Sequence, residues 1–453
     1  MKELDLTQGS VPKVLLQFAV PFLIANVLQA LYGGADLFVV GQYDDSASVA
    51  AVAIGSQVMQ TITGIILGIT TGTTVLIAIA TGAKDNRKVA FTIGSSVWLF
   101  SITGVVLTLV MVLFHSRIAE LMHTPVEAMV DTKNYILVCS LGILFIVGYN
   151  VVCGILRGLG DSKTPLYFVG LACVINIVLD FILVGYFHWG ATGAAIATVT
   201  AQGVSFGIAL WFLYRHGFHF DFSRKDIRLN RNLSKKILVL GAPIALQDAL
   251  INVSFLIITV IVNQMGVIAS ASLGVVEKII VFAMLPPMAI SSAVATMTAQ
   301  NYGAGLIKRM NKCLASGIGI ALVFGVSVCV YSQFLPETLT AFFTKDAAVV
   351  AMAADYLRGY SIDCIVVSFV CINSYFSGQG NSLFPMIHSL IATFLFRIPL
   401  SYWFSQIDSS SLFIMGFAPP ISTVVSLLIC IWYLRYTQRK LYLRGTMMPA
   451  MSN

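Results

Sequence analysis

The sequence predicts an all-α polytopic membrane protein with twelve transmembrane helices in two lobes of six. Three observations support this prediction: an apolar composition, twelve long apolar runs and an internal repeat. Of the 453 residues, 58% are hydrophobic and only 10% are charged, with a mean hydropathy of +0.88. Soluble domains carry about a quarter charged residues. The chain is therefore expected to lie in a bilayer.

Each of the twelve apolar runs is long enough to cross a hydrocarbon core about 30 Å thick. The runs lie near 14–41, 50–80, 89–114, 134–155, 165–187, 191–214, 237–264, 269–299, 312–335, 355–376, 385–404 and 412–436. An even number of spans puts both termini on one side. Most of the Lys and Arg residues outside the spans fall on that side, so the positive-inside rule predicts cytoplasmic termini in a cell membrane. The net charge of +7 follows from this topology and requires no nucleic-acid partner.

The two halves of the chain repeat each other at an offset of about 220 residues. Pro21 corresponds to Pro243, Gly82 to Gly303, and the segment GILRGLGDSKTP to SYFSGQGNSLFP. Three anchors in the same order predict two parallel lobes with a cavity between them. The predicted lobes are residues 1–222 and 223–453, joined by a cytoplasmic linker around 216–236.

Polar residues inside the apolar runs of the first lobe predict a cation site. Asn176 and Asp180 lie four residues apart, on one face of a helix. Asp36, at the end of the first span, and Thr198, in the sixth, are expected at the same depth. An intramembrane carboxylate is costly and marks a functional site. Two carboxylates, an amide oxygen and a hydroxyl suit a proton or a hard cation such as Na⁺ rather than zinc or copper.

The second lobe carries its own charged residues within the apolar runs, and all are expected to be buried. They are Asp248, Glu277, Lys278, Asp363 and Arg397. Either Glu277 or Asp363 is placed to pair with Arg397. Ion pairing between helices and a role facing the substrate remain equally open for this group. Asp248 and Asp363 are therefore also candidates for a substrate cavity.

These residues together resemble the multidrug and toxic-compound extrusion (MATE) family, in its prokaryotic DinF-like branch. The likeness rests on the early Pro21, the segment ADLFVVG that ends the first span, LRGLGDSKTP after the fourth, and NIVLD in the fifth. The resemblance implies a MATE/MOP-type fold. It also implies a first-lobe cation site at the matching positions, which are Asp36, Asn176, Asp180 and Thr198.

The same resemblance implies further roles. Gln29, Tyr135 and Asn150 match positions that line the cavity of related transporters, and Pro21 matches a point where the first span is described as bending. A proline inside a helix removes one hydrogen bond and clashes with the preceding turn, so a hinge at Pro21 is physically reasonable. Acidic residues of the second lobe bind the coupling cation in some branches, but their pattern does not match Asp248 or Asp363 cleanly.

The predicted function is secondary active export of amphipathic cationic organic compounds in exchange for H⁺ or Na⁺, without an organic cofactor and by a monomer. An exporter or flippase of lipid-linked precursors or other metabolites, from the same superfamily, is the main alternative. An intramembrane enzyme is disfavoured because the acidic residues have no His or Cys partners. The chain contains no Walker motif, and Gly158 to Asp161 is expected to form a tight turn after a helix rather than a phosphate loop. The eight cysteines are expected to act as small buried apolar residues.

Overall fold

The computed structural model describes residues 4–407 and 411–446, and within these it consists of helices joined by short connections. Sixteen α-helices follow one another along this part of the chain. They are α1 Val11–Tyr43, α2 Ser46–Gly82, α3 Asn86–Leu121, α4 Met129–Leu141, α5 Ile143–Leu159, α6 Lys163–Asp180, α7 Gly190–His216, α8 Arg231–Asn263, α9 Val267–Gly303, α10 Ile307–Phe334, α11 Pro336–Thr340, α12 Ala347–Val366, α13 Cys371–Gly378, α14 Leu383–Ala392, α15 Ile398–Ile407 and α16 Ala418–Thr446. Two π-helical turns, Phe181–Tyr186 and Thr393–Arg397, continue α6 and α14.

Eleven of the predicted spans fall on helices, or continuous series of helical segments, that are long and apolar enough to cross a membrane. The remaining span is a bent pair, in which Val126–Leu141 and Ile143–Leu159 meet at an angle of 49°. The break lies at Gly142, where a Cβ atom would approach Val199 of α7 to 2.6 Å. Counting the bent pair as one span, the described residues contain the twelve spans predicted, and the all-α fold is confirmed.

The connection after α5 is a tight turn, as predicted. Gly160 ends the helix with a φ of +99°, a left-handed conformation that glycine adopts without strain. Asp161 then begins α6: its Oδ1 accepts hydrogen bonds from the backbone N–H groups of Lys163 and Thr164 at 3.0 and 2.9 Å. Gly160 therefore serves the turn, whereas Gly158 lies in α5 and allows it to approach Thr74 and Ile77 of α2.

The described chain divides into two compact units. The first unit contains residues 4–249, 296–313 and 378–380; the second contains residues 250–295, 314–377, 381–407 and 411–446. The division into lobes at residue 222 stays a prediction. The predicted linker packs on the core of the first unit through Phe218, Phe220 and Phe222. It contains a short 3-10 turn at Arg224–Asp226, and α8 begins within it at Arg231.

Small residues allow the helices of the first unit to pack closely. Helix α2 buries glycine, alanine, serine and threonine along much of its length, and membrane helices associate through such small residues because they let backbones approach. Large apolar side chains, including Phe100 of α3 and Ile136 of α4, fill the spaces between them. The eight cysteines are all free and buried, as predicted.

Residues 4–9, here called the N-terminal strap, lie along one end of the first unit. The Leu4 N–H donates to the Gly160 carbonyl at 3.3 Å, and the Asn301 amide donates to the Leu6 carbonyl at 3.1 Å. The Arg309 guanidinium donates to the carbonyls of Leu6, Gln8 and Gly9. The strap is therefore held by the end of α9, the start of α10 and the turn after α5.

The ends of α2 and α9 meet beside the strap at the repeat-related glycines. A Cβ atom on Gly82 would overlap the Gln300 carbonyl, and one on Gly303 would overlap the Ile79 carbonyl. The Gln300 side chain also donates to the Gly158 carbonyl at 3.1 Å. Backbone thus touches backbone at this point, which only glycine permits.

The second unit has a separate apolar core built from α8, α9, α12 and the residues that precede α16. Its centre includes Ile258, Val276, Leu357 and Met415, each no more than 3% exposed. Two stacked tyrosines of α12, Tyr356 and Tyr360, lie in this core with ring centroids 6.2 Å apart.

Candidate cation-binding site

The structure brings the four predicted cation-site residues together in the first unit. Asp36 comes from α1, Asn176 and Asp180 from α6, and Thr198 from α7. The Asn176 amide donates to Thr198 Oγ1 at 3.4 Å, and the Thr198 hydroxyl donates to Asp36 Oδ2 at 3.1 Å. Asp36, Asn176 and Asp180 are each no more than 3% exposed. The four residues therefore meet as expected from the sequence, and their use as a cation site stays a prediction.

The site contains more acceptor oxygens than donors. No N–H or O–H group of the described residues donates to Asp36 Oδ1, Asn176 Oδ1 or either oxygen of Asp180. The carboxyl groups of Asp36 and Asp180 do interact with each other. Two carboxyl groups can share a hydrogen bond only when one of them is protonated. The arrangement is thus chemically suited to a cation, either a proton on a carboxyl or a metal ion among the oxygens.

The position of Asp180 is set by a change of helix type. Helix α6 ends at Asp180, and the π-helical turn Phe181–Tyr186 begins with the next residue. A π-helical turn widens the helix and occurs often at functional sites. Within this wider turn Val184 is fully buried, so the segment stays packed against its neighbours while Asp180 faces Asp36.

Sequence reasoning missed Tyr32, Cys139 and Gln202 and the contact of Tyr135 with the site. Tyr32 interacts with Asp36 and with Gln202, and Cys139 lies in the electrostatic environment of Asp36. Tyr135, predicted only as a cavity residue, interacts with Asp36 as well, and its hydroxyl pairs with Ser56 of α2 at 3.0 Å.

A signal for these residues was present in their spacing. Four helices each contribute two polar or sulfur-containing residues one turn apart, on one face. The pairs are Tyr32 with Asp36, Tyr135 with Cys139, Asn176 with Asp180, and Thr198 with Gln202.

The remaining predicted cavity residues of the first unit lie in different surroundings. Gln29 is half-buried on α1. Asn150 is buried in α5, where its amide donates to the Ile146 carbonyl one turn earlier at 2.8 Å. Pro21 is buried inside α1, which continues through it as one helix. Asp248 is exposed on α8, which corrects the expectation that it is buried.

The expectation of buried charge is also wrong for most of the second unit. Glu277 and Arg397 are half-buried and Lys278 is exposed, whereas Asp363 is 1% exposed. Of these four residues, Asp363 alone is buried as expected.

Arg397 makes no salt bridge with Glu277 or Asp363 among the described residues. Its Nε donates to Ser422 at 3.3 Å, and its guanidinium lies 5.7 Å from the centre of the Phe255 ring. Asp363 interacts electrostatically with Arg397 at longer range and hydrogen-bonds with Tyr360 and Thr423. The predicted direct pairing is therefore replaced by hydroxyl and aromatic partners.

The described residues contain no group of three or more His, Cys, Asp and Glu side chains arranged to hold a metal ion. The acidic pair of the first unit has amide and hydroxyl oxygens as its further partners. Such an oxygen set fits a hard monovalent cation or a proton better than a transition metal.

Comparison with known proteins gives consistent matches along the chain. A family model described as MatE matches it twice, over residues 21–182 and 243–403. Probable multidrug resistance protein YpnP of Bacillus subtilis is 30% identical over 408 residues, 89% of this chain and 91% of that protein. Probable multidrug resistance protein NorM of Thermotoga maritima is 28% identical over 405 residues, 86% of this chain and 85% of that protein.

Among solved structures, one is described as the outward-facing conformation of a multidrug resistance MATE family transporter of the MOP superfamily. It matches with a TM-score of 0.91 at 23% identity and covers 97% of this chain and 99% of that chain. The two segments matched by the family model begin at Pro21 and Pro243, the first pair of repeat anchors.

Proposed function

Because the chain belongs to the MatE family, we propose that it is a secondary active efflux transporter exporting amphipathic, cationic organic compounds in exchange for H⁺ or Na⁺. The multidrug resistance names of its relatives support the export of drugs. A role as a transporter rather than an enzyme agrees with the names of its relatives and of the matching structure. Small organic molecules and the bilayer are its partners, and the monomer is the working unit.

The observation that carries the proposal is the set of four oxygens without donors in the first unit. Asp36 Oδ1, Asn176 Oδ1 and both oxygens of Asp180 are buried together with nothing in the described chain to satisfy them. A buried polar atom without a partner is costly, and a buried charge more so. A cation that enters this site therefore gains interactions that the protein itself does not supply.

Each residue has a distinct task in this proposal. Asp36 and Asp180 hold the charge of the cation, and a proton bound to one carboxyl allows the pair to share a hydrogen bond. Thr198 fixes Asp36 through its 3.1 Å hydrogen bond. For Na⁺, the Asn176 carbonyl oxygen adds a neutral ligand. Loading and release of the cation alter this hydrogen-bond network and so alter α1.

Pro21 is the point through which α1 responds. It precedes Asp36 by 15 residues, which is about four helical turns. Because proline cannot donate to the preceding turn, straight and bent forms of the helix can lie close in energy. Forms that differ by about 1–3 kcal/mol in cation affinity suffice for useful coupling. Cation binding at Asp36 would thus favour either the straight or the bent form of α1 at Pro21.

The proposed location is the cell membrane with both termini in the cytoplasm. This orientation rests on the distribution of Lys and Arg among the loops. In that orientation, an inward gradient of H⁺ or Na⁺ drives export of the organic compound.

Transport by the purified protein in liposomes, with independently imposed pH and Na⁺ gradients and ethidium as the exported probe, tests the proposal. Asp36→Asn and Asp180→Asn are expected to abolish gradient-driven export, since each removes one charge from the site without changing side-chain size. Asp363→Asn serves as the matched control because Asp363 is equally buried but lies in the second unit. It is expected to retain gradient-driven export.

Binding of ²²Na⁺ to the same detergent-solubilised variants separates the two cations. Saturable binding that both first-unit variants lose assigns Na⁺, whereas export driven by pH alone without ²²Na⁺ binding assigns H⁺. Wild-type export by Asp36→Asn, or loss of coupling in Asp363→Asn alone, would place the coupling site elsewhere and refute the proposal.

A further inference from the structure

A cavity of about 780 Å³ lies in the first unit, apart from the cation site. Helices α3, α5 and α7 and the linker that follows α7 enclose it. Its lining is apolar or glycine except for Ser101, Tyr214 and Asp221. The deepest lining residues, Phe100 and Val151 among them, are no more than 5% exposed. The cavity therefore reaches into the core of the unit.

One side of the cavity opens onto the surface between α3 and α7, which flank α5 and each pack against it. Leu144 and Phe145 of α5 and Leu210 and Tyr214 of α7 line it and are exposed. Because both helices are transmembrane spans, this exposed surface faces lipid. The opening is thus a lateral one, accessible from within the bilayer.

Three phenylalanines of the linker form the roof. Phe218 stacks on Phe220 with ring centroids 5.1 Å apart and meets Phe222 edge-on at 5.2 Å. All three rings line the cavity and pack on the apolar core of the unit. The cavity therefore ends where the linker leaves the membrane span, at the side of the basic loops.

The length and polarity of the cavity match a hydrocarbon chain. Its lining on α5 runs from Leu144 to Ile155, a rise of about 16 Å at 1.5 Å per residue. That is about half of a 30 Å hydrocarbon core, or one leaflet. An apolar cavity does not hold water well, and an empty one loses dispersion contacts on its walls. Lipid chains are the apolar molecules that surround its opening.

The rim of the cavity carries arginines. Arg215 follows the lining residue Tyr214, and Arg228 follows Ile227. The guanidinium groups of Arg228 and Arg87 lie 5.0 and 5.6 Å from the centre of the same ring, that of Phe91.

The carboxylate of Asp226, close to these arginines, accepts hydrogen bonds from Ser223. The backbone N–H and the hydroxyl of Ser223 both donate to Asp226, and these bonds, with smaller effects of Arg228 and Arg87, hold the pKa of Asp226 below its ordinary value. The arginines Arg87, Arg215 and Arg228 still outnumber the two carboxylates, Asp221 of the lining and Asp226 beside Arg87 and Arg228, so the rim favours an anion.

We propose that this cavity binds one acyl chain of an anionic phospholipid of the cytoplasmic leaflet, with the phosphate held by Arg87, Arg215 and Arg228. The chain fills the space between α3 and α7, along α5, and supports the phenylalanine roof. The lipid therefore acts as a structural ligand that fixes the linker on the first unit. This role is independent of the export function, because it concerns binding at a different place.

Native mass spectrometry of the full-length protein with equal amounts of phosphatidylglycerol and phosphatidylcholine of identical chains tests the proposal. The wild type is expected to retain one phospholipid at high collision energy, with phosphatidylglycerol preferred. Val151→Trp and Ser101→Phe each fill the cavity and should weaken this binding at least tenfold. Val174→Trp, on the exposed face of α6, is the matched control and should retain it.

Arg228→Gln should lower the preference for phosphatidylglycerol about fivefold while a lipid remains bound, since one cation near the surface is removed. Lys163→Gln removes an exposed cation at the start of α6 and should leave the preference unchanged. In the wild type, a phospholipid with a photoreactive acyl chain should label peptides that contain residues 144–155 or 206–222. This labelling uses the wild type, so its result does not depend on whether Val151→Trp and Ser101→Phe fold.

Retention of the tightly bound lipid by both filled variants would overturn the proposal, as would labelling confined to other helices. Competition with tetraphenylphosphonium tests whether the cavity binds a lipophilic cation instead of a lipid. If tetraphenylphosphonium displaces the lipid in the wild type with no preference between the two headgroups, the cavity binds lipophilic cations and the lipid assignment is wrong.

Discussion

Replacing Arg309 by Ala is expected to release the N-terminal strap from the first unit. The Arg309 guanidinium donates to the Gln8 carbonyl at 2.5 Å and to the Gly9 carbonyl at 2.7 Å, with longer bonds to Leu6. A hydrogen bond from a charged donor contributes about 1.5–3 kcal/mol. Taking the lower value for the two short bonds, because they are exposed, gives about 3 kcal/mol, or roughly a hundredfold change in the equilibrium for release.

Hydrogen exchange measured by mass spectrometry on N-terminal peptides detects this release directly. The Leu4 N–H, which donates to Gly160, should exchange about a hundredfold faster in Arg309→Ala. Arg309→Lys keeps the charge but loses the planar fork that reaches several carbonyls, so an intermediate acceleration is expected. Lys308→Ala removes the neighbouring exposed charge and serves as the control. Unchanged exchange in Arg309→Ala would show that Asn301 and the apolar contacts hold the strap without it.

Three further outcomes are expected. Gly82→Ala should lower the free energy of unfolding by about 1–3 kcal/mol, because its methyl group would overlap the Gln300 carbonyl; an unchanged midpoint in a thermal unfolding assay would contradict this. Pro21→Ala should weaken ethidium export while ²²Na⁺ or proton binding is retained, and full export would make the proline a packing feature only. Asp226 has a lowered pKa, so its carboxylate should stabilise the turn with Ser223 at pH values above the ordinary aspartate pKa, about 3.9. This stabilisation should be lost as the pH falls below that value and the carboxylate is protonated. Protection of the Ser223 amide from hydrogen exchange that persists below about pH 2 would argue against this.

Much of the fold was predictable because each span must satisfy its backbone within the bilayer and so appears as a long apolar run. The bend at Gly142 was not, since the local sequence reads as one apolar helix and the break depends on packing against Val199. The π-helical turn after Asp180 was missed for a related reason: its cause lies in tertiary contacts rather than in helix propensity.

The cation-site residues were predictable from charge and depth, but their environment was not. Asp36 and Asp180 stand out in apolar runs, whereas Tyr32 and Gln202 read as ordinary residues of amphipathic helices until the i, i+4 spacing is compared between helices. Exposure was misjudged for Asp248, since a span predicted from hydropathy does not reveal which of its faces is covered. Whether a side chain is buried depends on neighbouring helices that come from distant parts of the chain.

The hydrogen bonds between Arg309 and the strap also determine when the strap can bind to the first unit during synthesis. Leu6 and Arg309 are separated by 303 residues, yet both belong to the first compact unit. At about 5–20 residues per second, the ribosome makes the strap roughly 15–60 s before its arginine partner exists. The strap of the nascent first half therefore stays unbound in the membrane, and it binds Arg309 only after the hairpin of α9 and α10 has been inserted.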